Sequence, residues 1–283
     1  MSQVHVTLPP GVTIRDPSGN RYTIESLLGR GESDAVYLVR ERRLQRMFVL
    51  KEVIDPSTQD RERVTFEGEV LKRLKHRALP RIYRLFEHEK LRRVYLLMDY
   101  VTGNNLEDLY LKQPAQRFAV PATFTLLAPV VDALSYLHTQ KPPIVHRDIK
   151  PANIIISASS GETVLVNFGI AKQYIPDATT ALIRRGTPGY AAPEHYMGGT
   201  SPRTDIYGLG ATFYTLLTGV VPPDVIARIM KNNKGSDPLK FAHQLNPLVP
   251  EALSETLRRA MAINAAERFA TVQEFWWELT RQA

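Results

Sequence analysis

The chain has 283 residues, of which 43% are hydrophobic and 23% charged, and 36 Lys and Arg against 29 Asp and Glu give a net charge of +7. This composition excludes an intrinsically disordered or collagen-like chain, and the absence of cysteine excludes disulfide scaffolds, thiolate metal sites and cysteine nucleophiles. The sequence shows neither a secretory signal nor a run of about 18 apolar residues. We therefore expect a cytoplasmic protein without a membrane segment, and the sequence leaves open whether further domains or an anchor follow Ala283.

The first hundred residues predict a small sheet. Residues 1–20 are rich in Pro, Gly, Asp and Ser, which predicts a flexible N-terminal extension. Short apolar runs then alternate with turn-like spacers, a pattern typical of antiparallel strands. The strands are predicted around residues 22–24, 35–39, 47–53, 82–88 and 94–99, with one helix over 60–75.

The pattern becomes mainly helical after Gly103. Apolar residues recur at helical spacing, which predicts helices over residues 121–138, 202–220, 222–232, 250–263 and 271–282. Two short strands are predicted at 154–156 and 164–166. The change of pattern places a boundary between two lobes near residues 99–103.

Positive charge is densest between residues 72 and 84. One interpretation is a surface for an acidic partner or nucleic acid. The other is an ordinary solvated face, which we favour because acidic residues are interleaved and no aromatic pattern accompanies the basic ones. We therefore expect no nucleic-acid partner. The basic residues are Lys72, Arg73, Lys75, Arg77, Arg81 and Arg84.

Two features of the first hundred residues suggest phosphate binding. Gly29 and Gly31 lie between predicted strands, where glycine lets backbone N–H groups approach a phosphate; a simple hairpin turn explains them equally well. Lys51 lies within an apolar run, where an unpaired ammonium group is costly. It needs an anionic partner such as Glu67 or a phosphate, unless it stands at an exposed strand edge.

The segment IVHRDIKPANI, residues 144–154, resembles the catalytic loop of the eukaryotic-type (Hanks-type) protein kinases. That family has four residues between its aspartate and its asparagine, as between Asp148 and Asn153. Asp148 would orient the acceptor hydroxyl and take its proton late in the transfer. Lys150 would place positive charge beside the γ-phosphate, and Asn153 would offer a carbonyl oxygen to Mg²⁺.

The resemblance covers about residues 22–281 and implies that ATP is the nucleotide. Gly29 and Gly31 match the glycine-rich loop over the phosphates, and Lys51 would contact the α- and β-phosphates. Glu67 would pair with Lys51 from the following helix. The other implied nucleotide-binding residues are Leu28, Val36, Val49 and Ile155 around the adenine, Met98 as gatekeeper, Asp99 and Val101 through backbone groups, and Asn105.

The fold implied by the resemblance is α+β and bilobal. Residues 21–101 would form the N-lobe, a small antiparallel sheet with one helix, and residues 102–283 the larger, mostly helical C-lobe. The sequence as a whole is similar to bacterial members of the family. The position of Lys150 and the Gly-Thr-Pro-Gly-Tyr motif at 186–190 resemble kinases that phosphorylate serine or threonine in protein substrates.

The same resemblance assigns contacts within the C-lobe. Thr187 would hydrogen-bond Asp148 and Lys150, and Asp205 would brace the catalytic loop. Glu194, in Ala-Pro-Glu, would form an ion pair with an arginine later in the chain, as is common in such kinases. That arginine is Arg268.

The largest departure from the family is Asn167, which precedes Phe168-Gly169 where the family has an aspartate that chelates Mg²⁺ or Mn²⁺. Asn167 would remain a metal ligand through its one carbonyl oxygen, but it lacks the anionic oxygen that a hard divalent cation prefers, so metal affinity should fall. Positioning and electrostatics supply most of the catalysis of phosphoryl transfer. We therefore expect this chain to transfer phosphate very slowly or not at all.

Two explanations of Asn167 compete. One is an engineered inactivating substitution in a competent kinase, which we favour because the other catalytic residues are kept. The other is a natural pseudokinase that acts as a nucleotide-binding or scaffold module, and Asp34 at the third glycine of the phosphate loop favours it slightly. In an active form, Thr179 or Thr180 could be autophosphorylated and pair with Arg147; an unmodified loop explains these threonines about equally well.

Overall fold

The computed structural model describes residues 7–30, 34–54, 68–88, 92–167, 172–173, 186–232 and 237–283. The chain divides into two compact units. Unit 1 comprises Met1–His76 and Pro80–Val101, and unit 2 comprises Arg77–Leu79 and Thr102–Ala283. The main division thus falls where the sequence pattern changes from strands to helices.

Unit 1 contains a six-stranded antiparallel sheet in the order β1-β2-β3-β4-β6-β5. Its strands are β1 Thr13–Arg15, β2 Arg21–Arg30, β3 Asp34–Glu41, β4 Met47–Ile54, β5 Ile82–His88 and β6 Arg93–Asp99. Residues alternate strictly along β3 and β4, so that Tyr37 and Leu50 are buried while Val36 and Lys51 lie on the other, less buried face. Residues 68–72 are helical, and the rest of the predicted helix over 60–75 lies mainly outside the described residues.

The N-terminal segment differs from the prediction of a flexible extension. Residues 13–15 form strand β1, which pairs with β2 along the edge of the sheet. Ile14 is buried in the core of unit 1, and Asp16 accepts a hydrogen bond from the buried Tyr22 hydroxyl. The sequence did not predict this strand because its composition is polar. One buried isoleucine and the pairing with β2 stabilise it.

Unit 2 is mostly helical. Its helices are α1 Leu106–Leu111, α2 Val120–His138, α3 Glu194–Met197, α4 Pro202–Thr218, α5 Val225–Asn232, α6 Ala242–Leu245, α7 Glu251–Ala260 and α8 Val272–Arg281, with 3₁₀ turns at Pro151–Asn153 and Ala265–Glu267. Helix α4 is buried along nearly its whole length. It begins at a capping box formed by Ser201 and Thr204, and it ends at Gly219, whose left-handed backbone closes the last turn.

Helix α2 is the one helix of the described chain that is long and apolar enough to cross a membrane by length and composition. In the structure it is a core helix of unit 2. Leu127 and Leu134 are fully buried, and Phe124 packs against Phe213 of α4 and Trp276 of α8. Its apolar character is thus accounted for by packing within the unit.

Short strands in unit 2 carry residues of the catalytic-loop region. They are β7 Gly103–Asn105, β8 Ile144–Val145, β9 Ile154–Ser157, β10 Thr163–Leu165 and β11 Lys172–Gln173. Strands β10, β9 and β7 form one antiparallel sheet, and β11 pairs with β8. The residues 144–154 therefore run from one small sheet into the other.

Gly103 permits the close approach of β7 to β9, and its replacement by alanine should distort that sheet. Its φ is +153°, and a Cβ atom at this position would overlap the carbonyl oxygen of Ile156. We expect Gly103→Ala to lower the free energy of unfolding by about 3 kcal/mol, since backbone strain and a clash with main chain add. Urea unfolding measures this loss.

Gly161 provides a matched control because it also has a positive φ, +71°, while the space that a Cβ atom would occupy has no neighbour within 4 Å. Gly161→Ala should therefore cost only the backbone strain, about 1–2 kcal/mol. Equal losses in the two variants would contradict a steric role for Gly103.

Basic residues of the 72–84 segment form ion pairs. Arg84 contacts Asp16 at 2.9 Å in unit 1, and Arg77 contacts Glu162 at 2.9 Å in unit 2. Lys72 pairs with Glu69 at 2.8 Å. Neutralisation of these charges within the chain favours the solvated-surface interpretation of this segment over a nucleic-acid interface.

Candidate active site

Four of the nucleotide-binding residues predicted in unit 1, Val36, Val49, Lys51 and Met98, share one face of its sheet. Val36 lies opposite Lys51 in the register of β3 and β4, and Val49 lies opposite Met98 in that of β4 and β6. Residues directly opposite one another in antiparallel strands project to the same side. This face is half-buried at Val36, Val49 and Lys51, whereas Met98 is buried.

The ammonium group of Lys51 forms an ion pair with Asp34. Lys51 Nζ lies 3.2 Å from Asp34 Oδ2, and the two side chains are 12% and 32% exposed. The expected need of Lys51 for an anionic partner is thereby confirmed, with a carboxylate that the sequence analysis placed in the phosphate loop. Glu67 and Gly31 lie outside the described residues.

The remaining described candidates of unit 1 are Leu28, Gly29, Asp99 and Val101. Leu28, 48% exposed, and Gly29 lie at a register shift between β2 and β3. The backbone N–H of Asp99 donates to the carbonyl of Arg81 at 2.9 Å, so it is not available to an adenine. The carbonyl of Asp99 and the backbone of Val101 remain the predicted adenine contacts.

Asp148 lies at the centre of a hydrogen-bond network in unit 2. Its Oδ1 accepts a hydrogen bond from the Thr187 hydroxyl at 3.0 Å and lies 3.1 Å from Lys150 Nζ. Lys150 Nζ also donates to Thr187 Oγ1 at 2.6 Å. The predicted contacts of Thr187 with Asp148 and Lys150 are therefore confirmed. The three side chains together hold one carboxylate oxygen beside a lysine and a hydroxyl.

The second oxygen of Asp148 accepts from two asparagines. Asn153 Nδ2 donates to Asp148 Oδ2 at 2.7 Å and to the Asp148 carbonyl at 2.8 Å. Asn167 Nδ2 lies 3.3 Å from the same Oδ2 and 3.4 Å from Asn153 Oδ1. Asn167 has a left-handed backbone, φ 70°, which asparagine adopts more readily than most residues. The structure thus brings the two predicted metal ligands and the predicted base together.

This donor set does not fit a resident divalent cation. Asn153 and Asn167 are neutral, and both direct amide N–H groups at the carboxylate of Asp148. Mg²⁺ needs oxygen ligands and prefers anionic ones. In the described part of the chain there is also no cluster of three or more His, Cys, Asp or Glu side chains able to hold a metal.

Asp205, on α4, braces the catalytic loop as predicted. It accepts hydrogen bonds from the backbone N–H groups of His146, at 2.8 Å, and Arg147, at 2.7 Å. These charge-assisted bonds hold Arg147 in a left-handed conformation, φ 69°. Burial opposes ionisation of Asp205, but the hydrogen bond from His138 and the backbone donors together lower the pKa of its carboxyl group. Burial also lowers the pKa of His146.

The predicted pair of Glu194 and Arg268 is confirmed. Arg268 Nη1 lies 2.6 Å and Nη2 3.1 Å from the two carboxylate oxygens of Glu194, and the arginine side chain is fully buried. Thr204 adds a hydroxyl donor to the same carboxylate at 2.8 Å. Burial opposes ionisation of Glu194, but the hydrogen bond and charge of Arg268 lower its pKa.

Asn105 and Ile155 lie opposite one another in the register of β7 and β9. Asn105 is the N-cap of α1, where its Oδ1 accepts from the backbone N–H of Asp108 at 2.8 Å and its Nδ2 donates to Asp108 Oδ2 at 2.9 Å. Its side chain therefore already has a structural role that the sequence analysis did not assign. Ile155 is half-buried.

Sequence reasoning missed His138, the last residue of α2. Its Nε2 lies 2.8 Å from Asp205 Oδ2, so it shares the carboxylate that braces the catalytic loop. The two residues are separated by 67 positions, and no spacing rule links them. A histidine at the end of a predicted core helix was the one available signal.

The chain matches the model of the protein kinase domain family over residues 22–274. It is 30% identical over 269 residues to serine/threonine-protein kinase PknJ of Mycobacterium tuberculosis, covering 90% of this chain and 44% of that protein. It is 29% identical over 267 residues to serine/threonine-protein kinase C of Synechocystis sp., covering 88% of this chain and 48% of that protein. The chain thus spans about half the length, or less, of these curated relatives.

Among solved structures, the kinase domain of Mycobacterium tuberculosis PknI is similar to this chain with a TM-score of 0.72 and 27% identity, covering 98% of this chain and 100% of that one. This likeness and the family match confirm the predicted α+β, bilobal kinase fold. They agree with the antiparallel sheet of unit 1 and the helices of unit 2. The chain therefore belongs to the protein kinase domain family, as a Hanks-type domain similar to those of bacterial serine/threonine kinases.

Proposed function

We propose that this chain is a serine/threonine protein kinase domain whose phosphoryl transfer is disabled by Asn167. The main support for this proposal is the hydrogen bonding of the Asn167 side chain. Its Nδ2 offers N–H donors to Asp148 Oδ2 and Asn153 Oδ1, where an active kinase needs oxygen acceptors for a cation. Without that cation, the charge that develops on the transferred phosphoryl group is poorly neutralised, and such neutralisation is a large part of catalysis.

The residues of unit 2 support a role in handling an acceptor hydroxyl. Asp148 is proposed to accept the proton of that hydroxyl, and Lys150 and Thr187 hold one of its carboxylate oxygens in place. A serine or threonine hydroxyl of a protein substrate would approach that carboxylate as a hydrogen-bond donor. ATP remains the proposed nucleotide, with Lys51 as its phosphate contact. Thr179 and Thr180, the proposed autophosphorylation sites, lie outside the described residues.

The second candidate is a natural pseudokinase that binds a nucleotide or a protein partner without transferring phosphate. The ion pair of Lys51 with Asp34 favours it, because an engineered change at Asn167 alone would leave the phosphate loop of an active kinase intact. The retained Asp148, Glu194 and Arg268 favour the engineered alternative.

Nucleotide binding with and without metal tests the proposal. By isothermal titration we expect ATP to bind the chain with little change in Kd between excess EDTA and excess Mg²⁺, since Asp148 is the one carboxylate in the described network of Asp148, Asn153 and Asn167. We expect no transfer of labelled phosphate from ATP to the chain itself or to a basic substrate protein.

Strong Mg²⁺-dependent tightening of ATP binding together with phosphate transfer would contradict a disabled site, and absence of any ATP binding would contradict the nucleotide-binding role.

The variant Asp148→Ala distinguishes the two candidate functions. A scaffold keeps its partner binding and biological output in this variant, whereas a domain that acts through residual phosphate transfer loses its output.

A further inference from the structure

The partner of Lys51 is set by the register of two neighbouring strands. Val36 lies opposite Lys51, and Asp34 opposite Val53. Asp34 and Lys51 are therefore diagonal neighbours on one face of the sheet, a separation that long side chains bridge. The 3.2 Å contact between Nζ and Oδ2 is thus a product of the strand pairing of β3 and β4.

Lys51 has little access to water. Its side chain is 12% exposed, although it lies on the less buried face of β4. An ammonium group in such a place requires an anion close by. Asp34 meets this requirement from within the chain, so that an external phosphate is not needed to balance the charge.

We infer that Asp34 is an affinity-determining residue which competes with the phosphates of a nucleotide for Lys51. This inference rests on the proposed nucleotide binding and on the assignment of Lys51 as the phosphate contact. To bind, a phosphate has to displace the carboxylate of Asp34 from Lys51 and then remain near a like charge. Both effects weaken the binding of phosphate-bearing ligands, and neither acts on a ligand without phosphate.

The size of the effect follows from the fraction of molecules in which Lys51 is free to bind a phosphate. If the ion pair is present in about nine of ten molecules, the apparent affinity for ATP is reduced about tenfold. Adenosine, which has the base and ribose without phosphates, does not compete for Lys51. The chain should therefore discriminate unusually little between ATP and adenosine.

The experiment compares ATP and adenosine on Asp34→Asn, which keeps the size of the side chain and removes its charge. Titrations in EDTA keep metal effects out of the comparison. We expect Asp34→Asn to bind ATP about tenfold more tightly than the unaltered chain and adenosine equally well. Asp34→Ser serves as a second variant with the same expectation should the asparagine variant fold poorly, as judged by circular dichroism.

Glu25→Gln is the matched control. Glu25 forms an ion pair with Arg40 at 2.7 Å in the same sheet, and both side chains are substantially exposed. This variant removes one negative charge from unit 1 without altering Lys51, so its Kd for ATP should stay unchanged.

Three outcomes would overturn the inference. Equal ATP affinity in Asp34→Asn and the unaltered chain, with ATP still bound, refutes competition by Asp34 and leaves the proposed function standing. Parallel tightening of ATP and adenosine shows a general change of the sheet. Absence of ATP and adenosine binding in every variant refutes the proposed nucleotide binding, and the inference with it.

Discussion

Asn167→Asp is expected to make the chain an active kinase, with the rate of phosphate transfer rising by about two to three orders of magnitude over that of the unaltered chain. The substitution replaces an amide that donates toward Asp148 and Asn153 with a carboxylate that accepts. The site then offers Mg²⁺ an anionic oxygen beside the carbonyl of Asn153. Aspartate also tolerates the left-handed backbone at this position, so the fold should be unchanged.

The measurement is the initial rate of labelled phosphate incorporation from ATP, with Mg²⁺, into the chain itself and into a basic substrate protein. The double variant Asn167→Asp, Asp148→Asn provides the control, since it keeps the restored charge and lacks the proton acceptor. Its rate should return to background, which excludes a contaminating kinase. If the rate of Asn167→Asp alone stays at background, Asn167 is not what disables the chain, and the result favours the pseudokinase alternative.

The periodicity of the sequence predicted the strands of unit 1 and the long helices of unit 2. In these elements the buried residues recur at the period of a strand or a helix, so the pattern is visible within a short stretch of sequence. The pattern predicted helix α4 over 202–220, and its true end at Thr218 is set by the left-handed Gly219. Strand β1 escaped prediction, since it owes its stability to pairing with β2 and to the burial of Ile14. Such a pairing is a tertiary property that composition does not reveal.

The candidate site was predicted best where its residues are close in the sequence. The spacing of Asp148 and Asn153 indicated neighbours, and their side chains are hydrogen-bonded. The partner of Lys51 depends on strand register, which places Asp34 beside it. The contact of His138 with Asp205 depends on how two helices pack. Neither register nor packing can be read from spacing alone.

Removal of the buried guanidinium of Arg268 should destabilise the protein more than any other single side-chain replacement proposed above. We expect Arg268→Met to lower the free energy of unfolding by about 3–5 kcal/mol, because it leaves the carboxylate of Glu194 buried without its cation. Arg268 also donates to the carbonyls of Arg203 and Ala262, and these acceptors lose their donor. Urea unfolding monitored by circular dichroism measures the change.

Arg77→Met is the matched control, since Arg77 forms its 2.9 Å pair with Glu162 at the surface, with side chains 62% and 42% exposed. It should cost less than about 1 kcal/mol. The double variant Glu194→Gln, Arg268→Met should recover part of the loss, because it removes the stranded charge. A loss in Arg268→Met no greater than that in Arg77→Met would show that the pair does not stabilise the fold.

The pH dependence separates lost charge from lost packing. Because the pKa of Glu194 is lowered from 4.5 in the folded protein, its ionised form adds stability above pH 4.5 that is lost as the pH falls through the folded pKa. In Arg268→Met, burial without the arginine should raise that pKa, so the carboxyl group takes up a proton more readily. The stability difference between the two proteins should therefore narrow in acid, whereas a pure packing defect would leave it constant with pH.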